Sequence, residues 1–159
     1  MKGSSEKTNV MRILDREKVP YTAHFYDSHE ALSGTEVADV LGEPVEKVFK
    51  TLVCVGKSGN HYVFMIPAAE ELDLKKAAAA VGEKSMEMLK MKELFPLTGY
   101  VHGGCSPIGM KKQFRTTVHE SARNLDTILF SAGKIGAQVE TTPAGMEKAV
   151  RVQYADIIK

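Results

Sequence analysis

The sequence predicts an α+β fold: a mixed, partly closed, barrel-like β-sheet with helices packed outside it. Two observations lead there. Predicted strands outnumber predicted helices, and several strands read as hairpin neighbours rather than as βαβ units. The chain of 159 residues, with no internal repeat and no linker-like stretch, fits one domain over 1–159 with a sizeable core.

Each element has a local reason. Ser4 or Ser5 is placed to cap a first helix over roughly 5–18, with Val10, Ile13 and Leu14 as its apolar stripe and Pro20 beyond its end. Residues 21–26 alternate as a strand. Ser33 and Glu36 have capping-box spacing ahead of Val37, Val40 and Leu41, and Gly42 is a helix stop. Residues 48–55 read as a buried strand, 56–60 as a turn and 61–66 as the returning strand. Asp73 caps an alanine-rich helix that stops at Gly82. A further helix is expected over 85–94, ending before Pro96, and Tyr100-Val101 is expected to be extended. Strands follow near 116–119, 127–131, 137–141 and 151–154, with a short helix started by Pro143.

Composition narrows the function. A formal net charge of +1 is too small for binding along a duplex, so nucleic-acid contact is expected only locally, at one end of a strand. No apolar run is long enough to cross a bilayer, and residues 1–9 do not resemble a signal peptide. The two cysteines, Cys54 and Cys105, lack metal-motif spacing and are too few for a disulfide framework, which favours a reducing cytoplasm. The five histidines are scattered without metal spacing, so no metal and no cofactor is expected. Phosphate-loop and dinucleotide fingerprints are absent.

The segment 99–109, Gly-Tyr-Val-His-Gly-Gly-Cys-Ser-Pro-Ile-Gly, carries the strongest chemical signal. Glycines there let bare backbone N–H groups approach an anion or a polarised carbonyl. The same composition also suits a plain tight turn. Lys50 sits within an otherwise apolar strand: it either snorkels from a sheet edge or lines a pocket, where its ammonium would hold a phosphate or polarise a carbonyl. A second loop, Ser131-Ala-Gly-Lys134, completes three polar features able to converge on one pocket. Cys105 lacks the local signature of a nucleophilic cysteine, although His102 and His119 are available as bases.

These segments together resemble the YbaK/EbsC family of aminoacyl-tRNA deacylases, which is similar to the editing domain of bacterial prolyl-tRNA synthetases. The resemblance runs in order through His24-Phe-Tyr26, Val48-Phe-Lys-Thr-Leu52, Leu74-Lys-Lys-Ala-Ala78, Thr98-Gly-Tyr100, Gly103-Gly-Cys-Ser-Pro-Ile-Gly109 and Ser131-Ala-Gly-Lys134. It implies hydrolysis of the ester joining a mischarged amino acid to tRNA, with Cys-tRNA(Pro) as the nearest substrate. It implies Lys50 and Gly103 as catalytic residues. Tyr26, Thr51, Gly104, Ser106, Pro107, Ser131 and Gly133 are implied to bind substrate, and no metal. The implied partners are the aminoacyl-tRNA 3′ end and, as an open option, prolyl-tRNA synthetase. The family pattern has no enzyme nucleophile; the cysteinyl thiol of the substrate attacks its own ester. Ala132 and Ile135 depart from the pattern, where glycine and a basic residue are common. Two alternatives stand beside this: a deacylase for another small residue, such as alanine on tRNA(Pro), and a non-catalytic aminoacyl-tRNA or synthetase-binding module.

Overall fold

A computed structural model describes residues 7–27 and 32–159. Helix α1 (Asn9–Arg16) is capped by Thr8, whose Oγ1 accepts from the Met11 N–H; Ser4 and Ser5 lie outside the described residues. Strand β1 (Thr22–Phe25) follows, then α2 (Gly34–Leu41) with the reciprocal Ser33–Glu36 capping box and left-handed Gly42. A 3₁₀ turn (Val45–Lys47) leads into β2 (Phe49–Gly56), which turns back as β3 (His61–Pro67). Helix α3 (Leu74–Val81) is capped by Asp73 and closed by Gly82. Then come β4 (Met86–Met88), α4 (Met91–Thr98), β5 (Arg115–His119), a 3₁₀ segment (Glu120–Asn124), β6 (Ile128–Ser131), β7 (Ala137–Thr141), α5 (Pro143–Ala149) and β8 (Val152–Ala155).

The mixed α+β architecture is as the sequence predicts, but the barrel-like closure is not. The strands form two sheets, ordered β1-β7-β6 and β4-β2-β3-β5-β8, and neither closes on itself. A parallel bridge, Val48 to Leu129, links the two. The hairpin expectation holds for β2–β3 and β6–β7. It fails for β3–β5 and β5–β8, which are parallel and joined by long crossovers.

The main core fills the space between the sheets. Phe49, Met65 and Val118 from the larger sheet meet Phe130 and Val139 from the smaller, with Leu14 of α1 and Met146 of α5. Burying each such side chain is worth roughly 1.5–3 kcal/mol. A second cluster packs Ala77, Ala78 and Val81 of α3 on Phe64 and Ile66.

Two local expectations are corrected. Residues 86–88 form a strand rather than part of a helix, because they pair with Cys54, Val55 and Gly56 at the edge of β2. The helix begins later, at Met91, and runs through Pro96 to a left-handed Gly99. The proline forfeits only one N–H rung on an exposed turn. Tyr100-Val101 joins no ladder. Tyr100 instead packs inward, and its hydroxyl donates to the Ile108 carbonyl at 2.5 Å.

Candidate active site

Strand β2 pairs with β3 along its length, but β4 reaches only Cys54 to Gly56 on its other side. The other edge of Phe49 to Leu52 therefore has no strand partner in its own sheet. A cavity of about 340 Å³ follows that edge, and Val48, Phe49, Lys50, Thr51 and Leu52 all line it. Successive residues of a strand point to opposite faces. The cavity thus laps around the strand, meeting Lys50 on one side and Thr51 on the other.

The opposite wall comes from the smaller sheet and two loops. Counting two residues along both strands from the Val48–Leu129 bridge sets Lys50 level with Ser131. Ser131 pairs with Gln138 across β6 and β7, and both line the cavity. Tyr26, Gly103, His102 and Cys105 complete the polar wall, and Leu94 of α4 and Val37 of α2 are among its apolar residues. Of the residues singled out in the sequence, Lys50, Gly103, Tyr26, Thr51 and Ser131 are brought together here.

Gly104, Ser106, Pro107 and Gly133 do not line the cavity. Gly104, Ser106 and Pro107 are buried and Gly133 is half-buried. A Cβ on Gly104 would lie 3.1 Å from the Ile135 nitrogen and from Lys134 Cα, so this glycine is where the two loops touch. Ser106 is fully buried and its Oγ accepts from the Ile108 N–H inside the loop. Gly133 is left-handed, packs against Val10 and Tyr100, and donates its N–H to Ser131 Oγ at 3.1 Å. Gly103 has φ +88°, a conformation that costs other residues about 1–2 kcal/mol, and this turns the loop at the cavity wall.

Two polar atoms of cavity-lining residues stand out. Thr51 Oγ1 and Gln138 Oε1 are buried with no hydrogen-bond partner among the described residues. An orphaned buried polar atom costs about 1–3 kcal/mol, and in the free protein neither atom is open to the cavity. Gln138 was missed in the sequence. Its signal is an amide between two fully buried strand neighbours, Ala137 and Val139.

Cys105 does face the cavity, but burial pushes its thiol up to about 12. It is protonated near neutrality, which removes the thiolate a nucleophile requires. Cys54 is likewise raised to about 12 by burial and sits in the core.

Outside the cavity, Glu140 gathers three partners. His24 Nε2 lies 2.8 Å from Oε1, and Lys47 Nζ and Thr127 Oγ1 donate to Oε2 at 3.0 and 2.5 Å. Burial pushes the Glu140 carboxyl up, but these hydrogen bonds and the Lys47 charge outweigh it and hold the group at about 2. Glu43 approaches the same atoms, giving a set with metal-ligand types. The Lys47 ammonium and the Thr127 hydroxyl already occupy Glu140 Oε2, and His24 occupies Oε1, so the set reads as an ion-pair hub. Larger grooves elsewhere lack this convergence. The one of about 410 Å³ between β5 and β8 is lined by Arg115, whose guanidinium is bound to the Val81 carbonyl and Gln153 Oε1.

A cavity that gathers a lysine, a glycine-loop wall and polar side chains on an α+β scaffold is suited to holding a small polar ligand. Comparison with known proteins agrees. Residues 29–149 match the aminoacyl-tRNA editing domain. The chain is 46% identical over 157 residues to "Putative Cys-tRNA(Pro)/Cys-tRNA(Cys) deacylase EbsC" of Enterococcus faecalis, covering 98% of this chain and 96% of that protein. It is 30% identical over 107 residues to a proline–tRNA ligase of Fervidobacterium nodosum, covering 60% of this chain and 18% of the ligase. Among solved structures, the hypothetical protein APE2540 superposes with a TM-score of 0.85 at 20% identity, covering 96% of this chain and all of that one. A "putative trans-editing enzyme for prolyl tRNA synthetase" superposes at 0.81 with 23% identity, covering 97% and 99%. At these identities the two structures show the shared fold. The chain belongs to the aminoacyl-tRNA editing domain family.

No helix among the described residues is long and apolar enough to cross a membrane.

Proposed function

We propose that this chain is a trans-acting editing hydrolase that cleaves the ester of mischarged Cys-tRNA(Pro). The observation that carries this reading is the shared cavity: Lys50, Thr51, Gly103, Ser131 and Gln138 all line it. The near full-length likeness to the E. faecalis protein supports the substrate. The cavity of about 340 Å³ lies within the roughly 300–1,000 Å³ range of small-ligand pockets.

The terminal adenosine and its cysteinyl group enter this cavity. The α-ammonium of the aminoacyl group lies beside Gln138 and Thr51, whose side-chain oxygens turn toward it on binding and accept from it. Lys50 and the Gly103 loop wall face the ester, where charge develops on the carbonyl oxygen. The substrate thiol attacks its own carbonyl carbon. A sulfur–carbon bond forms, the ester carbon–oxygen bond breaks, and the thiol proton ends on the released ribose hydroxyl. Water then opens the thiolactone. Holding the thiol against the carbonyl replaces a protein nucleophile, because a bound near-attack pose carries a very high effective concentration. Gly104, Ser106, Pro107 and Gly133 act through the wall they hold, not by contact. The near-neutral net charge favours assistance from prolyl-tRNA synthetase in holding the tRNA body.

The test is a deacylation panel of Cys-, Ala- and Ser-charged tRNA(Pro), with Lys50→Ala as control. Release of cysteine is expected to be fastest, and Lys50→Ala should lower it by about 100-fold or more, the size of loss seen on removing one oxyanion stabiliser. Faster release of alanine would mean water as the nucleophile and a different substrate. Stable binding without ester loss would make the chain a binding module.

A further inference from the structure

Helix α4 is buried on one side only. Leu94 and Leu97 pack into the cluster around Cys105, Met110 and Phe114. Met91 and Phe95 face outward, 67% and 56% exposed. Four residues apart, they share one helix face. Val101, just beyond the helix, is also exposed. An aromatic ring left in water beside a cavity asks for a partner.

Its surroundings are cationic. Lys111 Nζ sits 5.4 Å from the centroid of the Phe95 ring. It is fixed there by the Pro96 carbonyl at 3.4 Å, while the Lys111 backbone N–H donates to Thr98 at 3.0 Å. Lys92 precedes Phe95 by three residues and so lies beside it on the helix surface, and Lys90 is the N-cap. None of Lys90, Lys92, Lys111 and Lys112 is in an ion pair among the described residues. Glu87 and Glu93 are the acidic residues of the same stretch. The segment is continuous with the cavity, since Leu94 and His102 line it.

We propose that the outward face of α4 binds the unpaired nucleotides that precede the terminal adenosine of the tRNA, one base stacking on Phe95 while Lys90, Lys92 and Lys111 hold the phosphates. Sequence-tolerant binding of single strands combines an aromatic platform with cations that follow the backbone. With Phe95 56% exposed, the lysine at its ring leaves aromatic surface in solvent for a base. This arrangement concentrates charge where a single-stranded end passes, which suits a chain with net charge +1. The inference rests on the editing reading for the identity of the RNA.

Two measurements on the full chain test it. The first compares hydrolysis of Cys-tRNA(Pro) with that of cysteinyl-adenosine, which lacks the preceding nucleotides. Phe95→Ala is expected to lower kcat/KM on the tRNA by about 10-fold and leave the nucleoside unchanged, with Phe95→Tyr restoring the tRNA rate. The second is fluorescence anisotropy of a labelled RNA oligonucleotide ending in CCA, which needs no catalysis. Phe95→Ala should weaken binding by a similar factor, and Lys111→Ala should flatten its salt dependence. Equal loss on both esters, or unchanged oligonucleotide binding in Phe95→Ala, overturns the proposal. Loss of synthetase binding with intact oligonucleotide binding also overturns it, giving the face to a protein partner. If the unmodified protein hydrolyses neither ester, the editing reading fails, and the anisotropy result alone decides the α4 surface.

Discussion

Glu140 on β7 accepts a hydrogen bond from Lys47 at 3.0 Å, three residues before Lys50. Two residues back along β7, on the same face, is Gln138. One ion pair therefore ties the smaller sheet to the start of β2, and the two strands it joins carry opposite walls of the cavity. The Val48–Leu129 bridge and the core holding Phe49 and Phe130 lie beside it, so the Glu140 hub adds a polar tie to an apolar one.

Acid should expose this role. The Glu140 carboxyl falls from an ordinary 4.5 to about 2 on folding. A depressed carboxylate contributes stability that is fully present above pH 4.5 and lost as pH falls through 2. Glu140→Gln should lower stability by about 1–3 kcal/mol at pH 7, the size allowed by the shift after screening. The deficit should shrink as pH falls from 4.5 to about 2. Urea midpoints at several pH values check this; a deficit independent of pH would mean that the lost contacts are not ionic.

Gln138 and Thr51 should show activity and stability moving apart. Their buried oxygens lack partners in the free protein, so removing them relieves an orphaned acceptor. Gln138→Leu and Thr51→Val are expected to leave the melting temperature equal or raised. Each should lower kcat/KM for deacylation by about 10-fold, the price of one lost hydrogen bond to a charged amine. Parallel loss of stability and activity would assign them to packing instead.

Cys105 should be dispensable. Its thiol, pushed up to about 12 by burial, carries almost no thiolate at pH 7. Cys105→Ala is expected to keep activity within about threefold, with a stability cost of roughly 1 kcal/mol for the small cavity left. Iodoacetamide at pH 7 should neither label it quickly nor inactivate the protein. Rapid inactivation traced to Cys105 would restore it as a candidate nucleophile.

Much of the site was legible because its chemistry is compressed into short segments. The apolar strand around Lys50 and the glycine-rich loop point to Lys50 and Gly103, the family resemblance adds Thr51, and these three share the cavity. Gln138 was not legible. Its importance comes from standing opposite Ser131 across β6 and β7, and from the bridge that brings β6 to β2. Gly104 and Ser106 are implied as substrate contacts by the family resemblance, but the part of their loop that lines the cavity is His102, Gly103 and Cys105.

Local sequence determined what local hydrogen bonds and propensities decide: the Ser33–Glu36 and Asp73 caps, the glycine stops at Gly42 and Gly82, and the β2–β3 hairpin. Tertiary structure alone decided that Met86–Met88 extends as an edge strand, that the strands divide into two open sheets, and that a gap opens along β2. Those choices depend on pairing between residues far apart in the chain, where the competing partners differ in packing rather than in intrinsic preference. The cavity is a product of that second kind of choice, and its residues acquire a common purpose only when the sheets meet.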